Sequence, residues 1–150
     1  MPSPVLDLAE LAGSWRLLSH GTTYVDTGER LEIFGPRPDG RMVLTPAGRI
    51  MFIFMKSNRQ PPKSDADRAV LLNEMVAYSG IVRMDGPRRF ITTIDLAAKP
   101  TWTGEQLRLF QVDGDRLTIR TPEQTFPLSH GRLMVSELTW ERERLGARQS

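Results

Sequence analysis

The segment Gly13-Ser14-Trp15, which opens the first strand-like stretch, constrains the fold more than any other part of the chain. A tryptophan in a strand carries more apolar surface than one strand can bury, so later strands must pack around it. The glycine lets the entering backbone turn closely past a neighbouring segment. The motif therefore predicts a curled, closed sheet whose one end is plugged by Trp15. A short helical turn capped by Asp7 would lie beneath the ring.

Composition narrows the classes of function. A chain of 150 residues is most simply one domain, residues 1–150, with a single core. It has no cysteine and only two histidines, His20 and His130, which excludes thiol chemistry and argues against a zinc site. The 20 basic residues are interspersed with 18 acidic ones rather than clustered, so we expect no nucleic-acid partner. We expect a small partner, no cofactor and no metal.

The N-terminal residues and the apolar runs also bear on location. The first residues lack the basic and apolar regions of a signal peptide. The longest apolar run, residues 50–55, is too short to span a bilayer. We therefore expect a cytoplasmic protein with no membrane partner.

Turn signals separate about nine strand-like segments. Pro46-Ala47-Gly48 and Asp113-Gly114 each lie between two such segments and predict hairpins. One helix is expected at about residues 64–77, with Ser64 as its N-cap. Because no βαβ alternation is present, the fold class is all-β: an antiparallel meander closed into a barrel of about 8–10 strands with one inserted helix. The segment of residues 50–55 is apolar on both faces, so either the helix covers its outer face or that face is a protein interface.

The chain contains an ordered set of short motifs: Leu11-Ala-Gly-Ser-Trp-Arg-Leu17, Gly40-Arg-Met-Val-Leu-Thr-Pro-Ala-Gly48, Ala77-Tyr-Ser-Gly80, Trp102-Thr-Gly104, Leu107-Arg-Leu-Phe110, Asp113-Gly-Asp-Arg-Leu117 and Leu138-Thr-Trp-Glu-Arg142. Together they resemble a bacterial lipocalin-like domain family within the calycin group, from about residue 11 to residue 140. The resemblance implies a lipocalin-like β-barrel with a ligand-sized interior. Relatives of this build bind hydrophobic small molecules, and some barrels catalyse cyclisation or isomerisation in secondary metabolism. It implies no catalytic motif, but it places a late arginine, here Arg142, over the early Trp15.

Strand alternation predicts which side chains face the barrel interior. If Trp15 points inward, Ser19 does too, and His20 points outward. On a later strand, an inward Phe110 places Gln106 and Arg108 on the same face. Arg108 has two interpretations: it pairs with a carboxylate or stacks on Trp102 near the rim, or it binds a carboxylate, enolate or phenolate of a ligand.

Other candidates also have two interpretations. Tyr78 either binds a ligand or supplies a proton at the barrel mouth, or it ties the helix to the sheet. Trp102 is either a lid over the cavity or a loop anchor. If the protein is an enzyme, Arg108 and Tyr78 are the candidate catalytic residues. Gly13, Trp15 and Arg142 are expected to be structural. The expected ligand-binding residues are Ser19, Thr45, Phe52, Phe54, Tyr78, Trp102, Gln106, Arg108 and Phe110.

Three hypotheses of function follow. The first is that the barrel binds a small hydrophobic or aromatic metabolite. The second is a cofactor-independent isomerase or cyclase of polyketide-type secondary metabolism that uses the same cavity. The third is a structural module that forms a homodimer through the apolar face of residues 50–55.

Overall fold

The computed structural model describes residues 8–125, 130–144 and 146, so Asp7 and its expected cap lie outside the described residues. Within those ranges the chain forms two short helices and nine strands. In chain order they are α1 (Leu8–Leu11), β1 (Gly13–Tyr24), β2 (Arg30–Leu31), β3 (Asp39–Leu44), β4 (Arg49–Met55), α2 (Asp65–Asn73), β5 (Met75–Met84), β6 (Arg89–Ala97), β7 (Glu105–Asp113), β8 (Arg116–Arg120) and β9 (Met134–Arg142).

The sheet closes on itself. Strands β1 and β3 to β9 pair antiparallel in sequence order, and β9 returns to pair with β1 from Trp15↔Arg142 to Tyr24↔Met134. Strand β2 pairs with the end of β1 as an extra ninth strand. The predicted closed antiparallel barrel with one inserted helix is therefore confirmed. Gly48 and Gly114 adopt positive φ in the two predicted hairpin turns, because those turns need a left-handed residue. No helix among the described residues is long and apolar enough to cross a membrane.

Trp15 closes one end of the barrel. Its ring is fully buried, and its Nε1 donates a hydrogen bond of 2.9 Å to the carbonyl of Leu11 in α1. The guanidinium of Arg142 lies over the ring, 4.2 Å from its centroid, and donates to the carbonyls of Glu10 and Ala12. Gly13 enters this region at φ 130°, where a Cβ would lie 3.0 Å from Arg142. The helical turn, the indole and the guanidinium together seal this end.

The helix is shorter than predicted. Ser64 caps α2 and accepts a hydrogen bond from the backbone of Asp67, as the capping pattern predicts. The helix ends at Asn73 rather than at residue 77, because Met75 and Val76 pair with the last residues of β4 and extend β5 instead. The predicted C-terminal boundary was therefore wrong. None of the residues of α2 is buried.

No described residue covers the outer face of β4. Met51 is 56% exposed, and Val43 and Ile53 beside it are also exposed. The alternative in which the helix covers this face was therefore wrong, since α2 follows β4 at the opposite end from Trp15 and packs only lightly on β5. The other interpretation, a protein interface, stays a prediction.

A β-bulge reverses the expected alternation in β1. The register with β9 shifts between Leu17 and Ser19, which inserts one extra residue into β1. Beyond the bulge His20 and Thr22 are buried, whereas Ser19 is only partly buried. The expectation that Ser19 points inward and His20 outward was therefore wrong.

Candidate functional site

A cavity of about 450 Å³ lies between the strands. Its lining includes Ile33 and Phe34 after β2, Leu72 and Asn73 of α2, and residues 99–102 after β6. These segments all lie at the strand ends opposite Trp15, so they surround the mouth. The size is typical of a site for a small molecule.

One wall of the cavity is a continuous series of aromatic rings. The rings come from β1, from the loop after β2, from β4 and β5, and from the loop after β6, and each contacts the next at distances typical of ring pairs. In order they are His20, Phe34, Phe54, Phe52, Tyr78 and Trp102, with centroid separations of 4.8, 5.0, 5.8, 4.2 and 5.8 Å.

The other wall carries buried hydroxyl groups. The Oγ atoms of Thr22 and Ser136 are 3.0 Å apart, and the backbone N–H of Ser136 donates to Oγ1 of Thr121 at 2.9 Å. Leu109 pairs with Arg120, so the inner-face residues one step further, Arg108 and Thr121, are neighbours. A row of polar side chains therefore crosses the inner face from β1 to β7, facing the aromatic wall.

Arg108 is the one arginine among the described residues that line the cavity. It is 8% exposed, and its Nη1 donates a hydrogen bond of 2.8 Å to the carbonyl of Leu107. Among the described residues, no carboxylate lies within 4.0 Å of its guanidinium. The interpretation that pairs Arg108 with a protein carboxylate was therefore wrong within this part of the chain.

Tyr78 lines the cavity close to Arg108. Burial raises the pKa of its hydroxyl, and the nearby positive charge of Arg108 offsets only part of that effect. The phenol is therefore neutral at physiological pH and keeps its proton to donate. Its ring contacts both Phe52 and Trp102, so it also joins β5 to the loop after β6.

His20 is a cavity residue that sequence reasoning missed. It is 5% exposed, between the rings of Phe34 and Phe54, and its Nδ1 has no hydrogen-bond partner among the residues that the structure describes. Burial, assisted by the charge of Arg30, lowers its pKa from 6.5 to about 4. The imidazole is therefore neutral at physiological pH.

The structure brings together five of the nine expected ligand-binding residues, Phe52, Phe54, Tyr78, Trp102 and Arg108, around the cavity. The other four do not line the cavity. Ser19 lies beyond the bulge, and Phe110 packs in the core against Phe90. Thr45 lies in the hairpin turn and accepts a hydrogen bond from the backbone of Arg49, and Gln106 lies at the rim and donates to the carbonyl of Thr103.

The hydroxyl residues Thr22, Thr92, Thr121 and Ser136 line the cavity and were not predicted individually. Strand alternation places Arg108 and Phe110 on the inner face of β7. Extending that face to the paired positions of β8 and β9 would have identified Thr121 and Ser136. Among the described residues, no group of three or more histidine, aspartate or glutamate side chains is placed to hold a metal ion.

Comparison with known families agrees with this architecture. The family model described as a lipocalin-like domain matches residues 12–143, which includes every strand of the barrel. No curated protein sequence matches the chain significantly.

Proposed function

Because the chain belongs to the lipocalin-like domain family, we propose that it binds a small hydrophobic or aromatic molecule inside its barrel. The observation that carries this proposal is the cavity of about 450 Å³ with its wall of six aromatic rings. Moving an apolar molecule from water into such a site is favourable by roughly 25 cal/mol for each Å² of apolar surface removed from water. A cytoplasmic metabolite is the ligand that fits the expected location.

Binding is tested by titrating the neutral fluorophore N-phenylnaphthylamine, and by native mass spectrometry of the protein after exposure to a metabolite extract. We expect one saturable fluorophore site per chain and a retained adduct. In Met134→Trp an indole ring replaces the smaller methionine side chain and occupies part of the cavity from β9, so binding of the fluorophore should weaken at least about 10-fold. Val135→Trp, on the neighbouring position that does not line the cavity, should bind as wild type. Absence of both a saturable site and an adduct in wild type contradicts the proposal.

A second candidate is a cofactor-independent isomerase or cyclase. The observation that favours it is the neutral, buried phenol of Tyr78 close to the Arg108 guanidinium, both on the cavity wall. Two such donors would polarise a substrate carbonyl, and the closed wall would hold a flexible chain in a reactive shape. Polyene and polyketide substrates should then turn over with wild type and fail to do so with Arg108→Ala. Turnover that persists in that variant contradicts this mechanism.

A homodimer is the third proposal. The exposed apolar side chains of Val43, Met51 and Ile53 form a contiguous strip on the outer face of β3 and β4, which a second copy of the chain would cover. Sedimentation velocity should show a dimer that Met51→Glu dissociates. Leu109→Glu, on the outer face of β7, is the matched control. A wild-type monomer at all concentrations contradicts the proposal.

A further inference from the structure

We propose that the ligand is an anion: a ring-bearing, otherwise apolar molecule that places one carboxylate, phenolate or enolate group against Arg108. This inference rests on the proposed binding function and adds the chemical class of the ligand.

Both charged side chains that line the cavity in the described part of the chain are positive. Arg108 lies inside and Lys99 at the mouth, and no aspartate or glutamate is present among the lining residues that the structure describes. A guanidinium cannot lose its proton in a protein, so burial leaves it charged. Burying an unpaired charge is unfavourable by several kcal/mol, whereas pairing it with an anion recovers strong, charge-assisted hydrogen bonds. Since one cation is buried within the cavity, one negative charge on the ligand balances it.

The neighbouring polar groups have hydrogens left to donate. Oγ1 of Thr121 accepts a hydrogen bond from the backbone of Ser136, so its own hydroxyl hydrogen is available to another acceptor. The hydroxyls of Thr22 and Ser136 share one hydrogen between them, which leaves the second to donate as well. The indole N–H of Trp140, also on the cavity lining, has no acceptor among the described residues. A group that only accepts hydrogen bonds, such as a carboxylate or phenolate, complements this wall.

The two walls also orient the ligand. Rings on β4 and β5, among them Phe52 and Phe54, face the polar row on β7 to β9. A flat apolar body would lie along the rings while its charged group meets Arg108. Lys99, whose Nζ donates to the carbonyl of Asn73 at 3.4 Å, adds a second positive charge at the entrance that attracts anions.

The test compares two fluorophores with the same skeleton. Anilinonaphthalenesulfonate carries one negative charge, and N-phenylnaphthylamine lacks it. We expect wild type to bind the anion at least about 10-fold more tightly than the neutral probe, as one buried charged hydrogen-bonded pair implies. Arg108→Gln should weaken the anion about 10-fold or more and change the neutral probe less than about 3-fold. Arg120→Gln, an exposed arginine on the outer face of β8 that pairs with Glu137, should change neither.

Each other outcome has a distinct meaning. Equal binding of the two probes by wild type, or tighter binding of the neutral one, overturns the inference and leaves the proposed function standing. If Arg108→Gln still binds the anionic probe more tightly than the neutral one, the inference is also overturned and the proposed function stands. If neither probe binds wild type, the proposed function and the inference both fail. Should Arg108→Gln not fold, as circular dichroism would show, Arg108→Met and the wild-type probe pair decide the question.

Discussion

His20 makes the stability of the barrel depend on pH in a way that a single substitution removes. The imidazole is buried between Phe34 and Phe54, and its pKa is lowered from 6.5 to about 4. The unfolded chain therefore takes up a proton near pH 6.5, whereas the folded chain resists it until about pH 4. The stabilisation is fully present above pH 6.5 and is lost as the pH falls toward 4.

The size of the effect follows from that interval. Each pH unit between the two pKa values changes the free energy of unfolding by about 1.4 kcal/mol. Over the interval from 6.5 to 4 the loss is about 3 kcal/mol, of which about 2 kcal/mol is lost by pH 5. In His20→Phe the ring stays in the aromatic wall but cannot be protonated, so this part of the loss should disappear.

The assay is urea unfolding of wild type and His20→Phe at pH 7 and pH 5, followed by tryptophan fluorescence. We expect wild type to lose about 2 kcal/mol more than the variant between the two pH values. His130→Asn, at an exposed loop position with positive φ, is the matched control and should lose as much as wild type. Equal losses in wild type and His20→Phe would refute the reasoning.

Two further substitutions test the packing of the barrel. In Gly80→Ala the added Cβ would lie 2.4 Å from the carbonyl oxygen of Thr93. We therefore expect the free energy of unfolding to fall by about 3 kcal/mol. An unchanged midpoint of urea unfolding would contradict the register of β5 and β6. Arg142→Gln removes the guanidinium from the ring of Trp15 and should lower the free energy of unfolding by about 2 kcal/mol. The exposed control Arg144→Gln should lower it by less than about 1 kcal/mol. Equal effects of the two substitutions would show that the contact with Trp15 does not stabilise the closed end.

The topology of the barrel follows from local chemistry in the sequence. The hairpins at Gly48 and Gly114 need left-handed residues, and Trp15 needs strands to cover it. The C-terminal end of α2 could not be predicted from local sequence chemistry, because Met75 and Val76 fit both the apolar stripe of a helix and a strand. Their pairing with β4, a long-range contact, decides in favour of the strand.

The site was predictable only where strand alternation is unbroken. Arg108 was placed correctly relative to Phe110 because β7 has no bulge between them. None of the residues at the bulge, Leu17 to Ser19, is a glycine or proline that would indicate it, so His20 was assigned to the wrong face. Alternation also cannot tell a side chain that lines empty space from one that fills the core: Phe110 points inward, yet packs against Phe90 instead of bordering the cavity.

The location of the bound molecule tests the account most directly, and the methionines of this chain report it. Met42 and Met134 are buried and line the cavity, whereas Met51 lies exposed on the outer face of β4. In an NMR spectrum of the protein with isotope-labelled methionine methyl groups, adding N-phenylnaphthylamine should change the chemical shifts of Met42 and Met134 until one equivalent is bound. The chemical shift of Met51 should not change. Shifts confined to Met51, with Met42 and Met134 unmoved, would place the molecule on the outer surface and contradict the account.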